Sequence, residues 1–301
     1  MRKANKDVRI PSFTKTWHSS SYPAISPSRP GLSLSGKSVV ITGGGSGIGL
    51  AITKSVALAG AANIAILGRR REILAESAKA IHELVGNGTR VLTVSTDVSK
   101  KDQVDQTFTQ ISTEIGKPLD ILILNAGYYN GVRPLGTETV DEWQTVFNIN
   151  ILGPYLVSTA FIAKAASDST IVNISSAIAH LDPFAGFSSY AATKLAGPKA
   201  MQYVQEDRPG IHVVDVHPGQ IRETDMAAKA TGEHYEGVSH IDDAKLAGDF
   251  VVWAASKEAK FLKGKLVWVN WDVDELKARE EDIVSTRVLT LGLEGFYPSK
   301  Y

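Results

Sequence analysis

The stretch "SSYAATKLAG", residues 188–197, sets Tyr190 and Lys194 four positions apart. On a helix that spacing puts both side chains on one face, one turn apart. A free tyrosine has a pKa of about 10, so only about one phenol in a thousand is ionised at pH 7. A cation about 4 Å away, at an effective dielectric near 20, supplies about 4 kcal/mol, or roughly 3 pKa units before losses. The pair can thus bring a phenol toward working pH, as a general acid or base requires. The spacing alone is common, because two such residues meet by chance on many helices. Its weight depends on what surrounds it.

A second chemical signal lies near the start of the chain, in "TGGGSGIGLAI", residues 42–52. The dinucleotide fingerprint G-x-G-x-x-G fails there, ending on Ile48 from Gly43 and on Leu50 from Gly45. The pattern that fits is T-G-x-x-x-G-x-G, with Gly43, Gly47 and Gly49. Such glycines permit a tight turn and close backbone approach, and the following helix aims its first amides at a pyrophosphate. Further on, "AILGRRREIL" carries Gly68 where a carboxylate would hold ribose hydroxyls, followed by Arg69, Arg70 and Arg71. Guanidinium groups suit a 2′-phosphate through paired, charge-assisted bonds. The expectation is NADP(H), with Arg69 as first contact, Arg70 as second, and Arg71 on a solvated helix start. Positive charge at a helix N-terminus opposes the macrodipole, which hints at an anion nearby.

Elements must position these groups, and the pattern supplies them. Apolar, β-branched runs recur at 37–42, 62–67, 90–95, 119–124, 170–175, 211–216 and 265–269. Runs without strict alternation suit strands buried on both faces of a parallel sheet. Helical segments such as 70–84 and 242–256 lie between them. The reading is a single α/β domain, with a doubly wound, mainly parallel seven-stranded sheet and helices on both faces, of Rossmann type. Residues 1–36 are polar and proline-rich and read as an extended arm. Residues 37–270 form the dinucleotide-binding and catalytic domain, with a substrate lid at about 225–241. Residues 271–301 form a C-terminal extension whose charged pattern predicts a solvated helix.

On these motifs the chain resembles the short-chain dehydrogenases/reductases, in their compact single-domain branch. Besides the glycine loop, the resemblance rests on "TDV" (96–98), "NAG" (125–127), "NINILG" (148–153), "NISS" (173–176), "YAATK" (190–194) and "HPGQIRET" (217–224). It implies that Asn150, Ser176, Tyr190 and Lys194 are catalytic. Tyr190 would be the acid/base, and Lys194, with the charge of an oxidised nicotinamide, would lower its pKa and hold the ribose. Ser176 would bind the substrate oxygen and Asn150 would serve a proton relay. Ser175 rivals Ser176, since adjacent strand residues point oppositely; Asn148 rivals Asn150. Thr42, Gly43, Ser46, Gly47, Ile48 and Gly49 would cradle the cofactor, with Asp97 and Val98 at the adenine. Asn125, Ala126, Gly127, Pro218, Gly219, Ile221 and Thr224 would complete its site. Without the resemblance, Asp97 reads equally well as a helix cap. Ser176 to Tyr190 spans fourteen positions, one more than is usual in the family.

The implied activity is NADPH-dependent reduction of a ketone on a hydrophobic, aromatic or polyketide-like molecule. Met226, His234, Tyr235 and His240 are candidate substrate contacts on one side, with His180, Phe184 and Phe187 on the other. The same tetrad also serves dehydration, epimerisation or imine reduction, and a non-catalytic dinucleotide-binding protein is the rival from another class. A serine hydrolase is disfavoured because G-x-S-x-G fails at Ile48. The seven histidines show no metal-site spacing, so no metal is expected. Lys+Arg and Asp+Glu both total 32, so no global field favours nucleic acid or an anionic membrane. The chain has no cysteine, which removes disulfides and thiol chemistry. No apolar run approaches the roughly 18 residues of a membrane span, and the basic N-terminus has only a faint similarity to a transit peptide. The expected location is cytoplasmic. The arm and the "NWDVDEL" segment resemble fungal short-chain reductases of secondary metabolism. Such enzymes form homodimers or homotetramers through the helices carrying Asn150 and Tyr190; Pro198 is expected to kink the second of these.

Overall fold

Strands apolar on both faces need cover on both sides, and the chain supplies it in two layers. The computed structural model describes residues 12–183, 185–222, 224–229 and 241–293. The strands are β1 (Ser38–Thr42), β2 (Asn63–Gly68), β3 (Arg90–Ser95), β4 (Leu119–Leu124), β5 (Ala165–Ile174), β6 (His212–His217) and β7 (Leu266–Trp268). They form one sheet in the order β3-β2-β1-β4-β5-β6-β7, every neighbouring pair parallel. The order reverses between β1 and β4, so the crevice at the carboxyl ends of these strands is where a ligand should lie.

The helices are α1 (Gly47–Leu58), α2 (Arg71–Val85), α3 (Lys101–Ile115), α4 (Val140–Phe147), α5 (Gly153–Ile162), α6 (Ser188–Asp207), α7 (Asp225–Ala228), α8 (Ala244–Ala254), α9 (Val273–Ala278) and α10 (Glu280–Ser285). Alternate strand residues feed the two cores. Val39, Ile41, Ile64 and Ile66 join a cluster with α1 and α8, while Val40, Ala65 and Leu67 join one with α3, α5 and α6.

The strand boundaries follow the expected runs within a residue, except at β5. That strand begins earlier, at Ala165, and the apolar run missed its first residues because they are half-exposed or exposed and small or polar. The charged tail also departs from expectation. It is two short helices, not one solvated helix, and Val273, Leu276 and Ile283 are fully buried. The arm likewise packs instead of extending freely. It makes two 3-10 turns, Pro23–Ile25 and Pro30–Leu32, and buries Ile25, Leu32 and Leu34.

The arm and tail are joined to each other. Trp17 bridges to Trp271, and Nε2 of His18 lies 2.9 Å from Oδ2 of Asp272. Glu275 accepts the backbone N–H groups of Lys15 (2.6 Å) and Thr16 (2.9 Å). One more correction concerns the membrane. Helix Val140–Ile162, continuous through a π turn at Asn148–Leu152, is long and apolar enough to cross one by length and composition alone, with a mean hydropathy of 1.4. Core helices of sheet proteins pass the same test, and this helix packs on α3, α6 and β4.

Candidate active site

The glycine loop is held from below. Gly43 and Gly47 take positive φ values of 66° and 51°, a region that favours glycine. A Cβ on Gly49 would lie 2.0 Å from the Gly43 carbonyl oxygen, and one on Gly43 would lie 2.9 Å from Nδ2 of Asn125. Oγ1 of Thr42 accepts the N–H groups of Asn125 and Ala126, each at 3.0 Å. Nδ2 of Asn125 donates back to the carbonyl oxygens of Thr42 (3.0 Å) and Gly43 (3.2 Å). Thr42, expected against the cofactor, is instead 2% exposed and outside the cleft wall, a strut that locks the loop to β4. Ser46 precedes α1 without capping it by its side chain, so the first amides of α1 keep their donors for a ligand.

The loop opens onto a cleft of about 760 Å³ at the carboxyl ends of the strands. Its walls bring together Ser46, Ile48, Arg69, Arg70, Asp97, Val98, Ala126, Gly127, Ser176, Tyr190, Lys194, Pro218, Gly219, Ile221 and Thr224. Arg69 and Arg70 are exposed at its mouth, beside a β2 end that carries no carboxylate. Asp97 does not cap a helix. Its Oδ1 accepts the N–H (3.0 Å) and hydroxyl (2.7 Å) of Ser99, whereas α3 starts later, after Lys100. Burial raises the Asp97 pKa, but the Ser99 hydrogen bonds and the charges of Arg69 and Lys100 outweigh it and leave it lowered. Thr224 stands opposite the loop, its Cγ2 3.3 Å from where a Cβ on Gly47 would be.

At the inner end, Nζ of Lys194 donates to the Ile174 carbonyl (2.8 Å) and lies 5.6 Å from the centre of the Tyr190 ring. Burial pulls the lysine pKa down to about 8, against the opposing charge of Asp215. The Tyr190 hydroxyl points at the Met226 sulfur, 3.7 Å away, a weak acceptor. The two serines divide. Ser175 is 3% exposed and its Oγ donates to the Lys194 carbonyl at 3.5 Å, while half-buried Ser176 caps the 3-10 turn Ala177–Ala179. Pro198 makes that first bond possible, since it lacks the N–H that would have taken the carbonyl four residues back. It lies inside α6 without ending it. Asn150 stands behind the wall, on the π turn. Its Oδ1 accepts from Tyr128 N (2.7 Å), and its Nδ2 donates to Tyr128 O (2.9 Å) and to Oγ1 of Thr193 (3.0 Å). It therefore ties the π turn to α6.

Comparison with known proteins meets this geometry. The family model described as short chain dehydrogenase matches residues 37–234. This chain belongs to the short-chain dehydrogenase/reductase family. A short chain dehydrogenase/reductase of the fungus Claviceps purpurea is 38% identical over 94% of this chain and 95% of its own length. Another, from Aspergillus novofumigatus, is 33% identical over 94% and 97%. Among solved structures, a short chain dehydrogenase from Burkholderia cenocepacia in complex with NADP is 29% identical, covering 80% of this chain and 99% of that one, with a TM-score of 0.71. A metagenomic blue fluorescent protein in complex with NADPH is 31% identical, covering 79% and 97%, with a TM-score of 0.72.

This short-chain dehydrogenase/reductase also brings residues to the cleft that the sequence reading passed over. Tyr129 stacks on Phe187 (centroids 5.1 Å, planes 4° apart) and meets Tyr190 at 5.2 Å. Its place two residues after "NAG" was the available signal. Trp268 and His217 line the back, 4.7 Å apart and edge to face. Nδ1 of His217 accepts the Ala177 N–H (3.1 Å), and burial lowers its pKa to about 3, so its proton sits on Nε2. His180, expected in the wall, instead faces Trp268 at 5.5 Å and does not line the cleft. Phe184, His234, Tyr235 and His240 lie outside the described residues. Among the described residues no histidine hydrogen-bonds Ser176, and no cluster of metal-ligating side chains occurs.

Proposed function

We propose that this oxidoreductase is an NADPH-dependent reductase of ketones on hydrophobic, flat small molecules. One observation carries the reading: the glycine loop with its arginine pair and the Tyr190–Lys194 pair with Ser176 line one continuous cleft. The loop free of side chains, the uncapped start of α1 and the two exposed guanidinium groups fit a phosphorylated dinucleotide. When bound, that cofactor supplies the hydride. Ser176 donates a hydrogen bond to the carbonyl oxygen as negative charge builds on it. The Tyr190 hydroxyl gives its proton to that oxygen, and the Lys194 ammonium stabilises the phenolate left behind. Asn150 serves the proton relay to Lys194 and, through its bond to Thr193, holds α6 against the π turn. Tyr129, Phe187, Ile178, Leu181 and Met226 give the inner cleft an apolar, partly aromatic lining suited to a hydrophobic substrate.

The reading includes a cytoplasmic homo-oligomer. Its support is the exposure of Leu152 and Tyr155 on the π turn and α5, and of Leu195 and Tyr203 on α6. These are the helices through which family resemblance implies assembly. NADPH oxidation with a panel of hydrophobic ketones and quinones tests the activity. Tyr190→Phe should lower turnover about 100- to 10,000-fold while NADPH still binds. Equal turnover in the variant would overturn the assignment, and NADPH binding without turnover of any panel member by the wild type would favour a cofactor sensor.

A further inference from the structure

A group of buried polar side chains lies behind Lys194 on the face of the sheet that α6 covers. Strand alternation sends Asn173 of β5, Ser175 just past its end, and Asp215 and His217 of β6 to that face. Asp215 is 2% exposed and Asn173 6%. The two are register partners, and Nδ2 of Asn173 donates to Oδ1 of Asp215 at 2.6 Å. One residue further along β5, the Ile174 carbonyl holds Nζ of Lys194. Gly197 of α6 packs over the group, where a Cβ would lie in ordinary contact, 3.9 Å from Nδ2 of Asn173. A buried carboxyl group thus lies behind the cleft wall on which the half-buried lysine projects its ammonium group. The other titratable groups near it are Tyr190 on α6 and His217 on β6, with exposed His180 beyond His217 in the turn after β5. Burial lowers the pKa of both histidines, so neither offers a counter-charge at neutral pH.

We propose that Asp215 is a positioning residue that keeps Lys194 in its ammonium form beside Tyr190. The proposal rests on the reading of Tyr190 and Lys194 as the reacting pair. Burial alone disfavours both charges. It draws Lys194 down to about 8, with Asp215 pulling the other way, and it lifts Asp215 to about 7, with Asn173 and Lys194 pulling the other way. Below about 7 the carboxyl group takes up a proton, but there the lysine stays protonated unaided. Above about 7 the carboxylate forms, in the range where the lysine begins to lose its proton. The help arrives on the alkaline side, where it is needed.

The test follows the Lys194 titration by ¹³Cε NMR in lysine-labelled full-length protein, with Lys194→Arg used to assign the signal. In Asp215→Asn the midpoint should fall by about one pH unit relative to wild type. The alkaline loss of ketone reduction should move down with it. An unchanged Lys194 midpoint overturns the proposal, because a merely structural aspartate would alter stability and leave that titration alone. If Asp215→Asn does not fold, the wild type carries the test through its aspartate carboxyl ¹³C signal. Asp215 should then titrate near neutrality, with a concurrent step in the Lys194 signal; titration below about pH 5 overturns the proposal. A lowered Lys194 midpoint in a protein that reduces nothing, wild type included, would uphold the coupling and sink the reaction assignment instead.

Discussion

At the scale of single side chains, the proposed choice of cofactor turns on residues at the end of β2. Gly68 offers no carboxylate to repel a 2′-phosphate, and Arg69 stands exposed at the cleft mouth with its carbonyl accepting from the Ser95 hydroxyl (3.1 Å). A charge-assisted bond to phosphate contributes about 1.5–3 kcal/mol, or roughly 10- to 100-fold in affinity. Arg69→Ala should therefore raise the NADPH dissociation constant by that factor and leave NADH binding nearly unchanged, as fluorescence titration of both cofactors would show. Equal weakening of both would mean that Arg69 holds the adenosine instead of the phosphate. At this scale the sequence was readable wherever the placement of a side chain depends on neighbours along the chain. Tyr190 and Lys194 share a helix turn, and the three arginines follow one another. Thr42 was misplaced because its two amide donors come from residues more than 80 positions away. Asp215 escaped notice because alternation tells which face a strand residue takes, but not what covers it.

Between elements, one close contact is the crossing of α1, which follows the glycine loop, with α8. A Cβ on Gly248 would lie 2.5 Å from Oγ of Ser55 and 2.6 Å from the Ala51 carbonyl oxygen. Next to it, fully buried Asp249 accepts hydroxyl hydrogens from Ser55 (2.6 Å) and Ser21 (2.5 Å) and pairs with Lys245. Even a methyl group would thus push two helices apart around a charged, desolvated network. Gly248→Ala should destabilise the protein by about 1–3 kcal/mol, seen as a lower urea midpoint with an unchanged slope. An unshifted midpoint would show that the crossing can slide. The strands were legible almost to the residue because a doubly covered sheet writes continuous apolar runs. Gly248 was not, because a helical pattern shows which side is apolar and says nothing about how closely another helix approaches. The tail misled for a related reason. Its buried helical residues, Val273, Leu276 and Ile283, are too few among charges to stand out.

Across the whole molecule, the arm and the tail complete the same wall. Trp17 meets Trp268 edge-on at 6.0 Å, and Trp268 in turn lines the cleft. Nδ2 of Asn270 donates both to the His18 carbonyl and to Oδ1 of Asp242, each at 2.9 Å, while Oδ2 of Asp242 accepts Gln220 N at 2.7 Å beside Gly219. The arm is therefore fastened to the loop that borders the cofactor site. Trp17→Ala should lower unfolding stability by about 2 kcal/mol, less than a fully buried tryptophan because Trp17 is only half-buried. A denaturation midpoint equal to wild type would show that the arm contributes nothing to the fold. The junction also sets a clock. His18 and Asp272 are 254 residues apart, and a ribosome adds about 5–20 residues per second. Trp17 therefore waits roughly 10–50 s after its own synthesis before its partners exist. Throughout that interval the growing chain carries an aromatic segment that lacks its cover, so the nascent protein, more than the finished one, is the species that would need a chaperone.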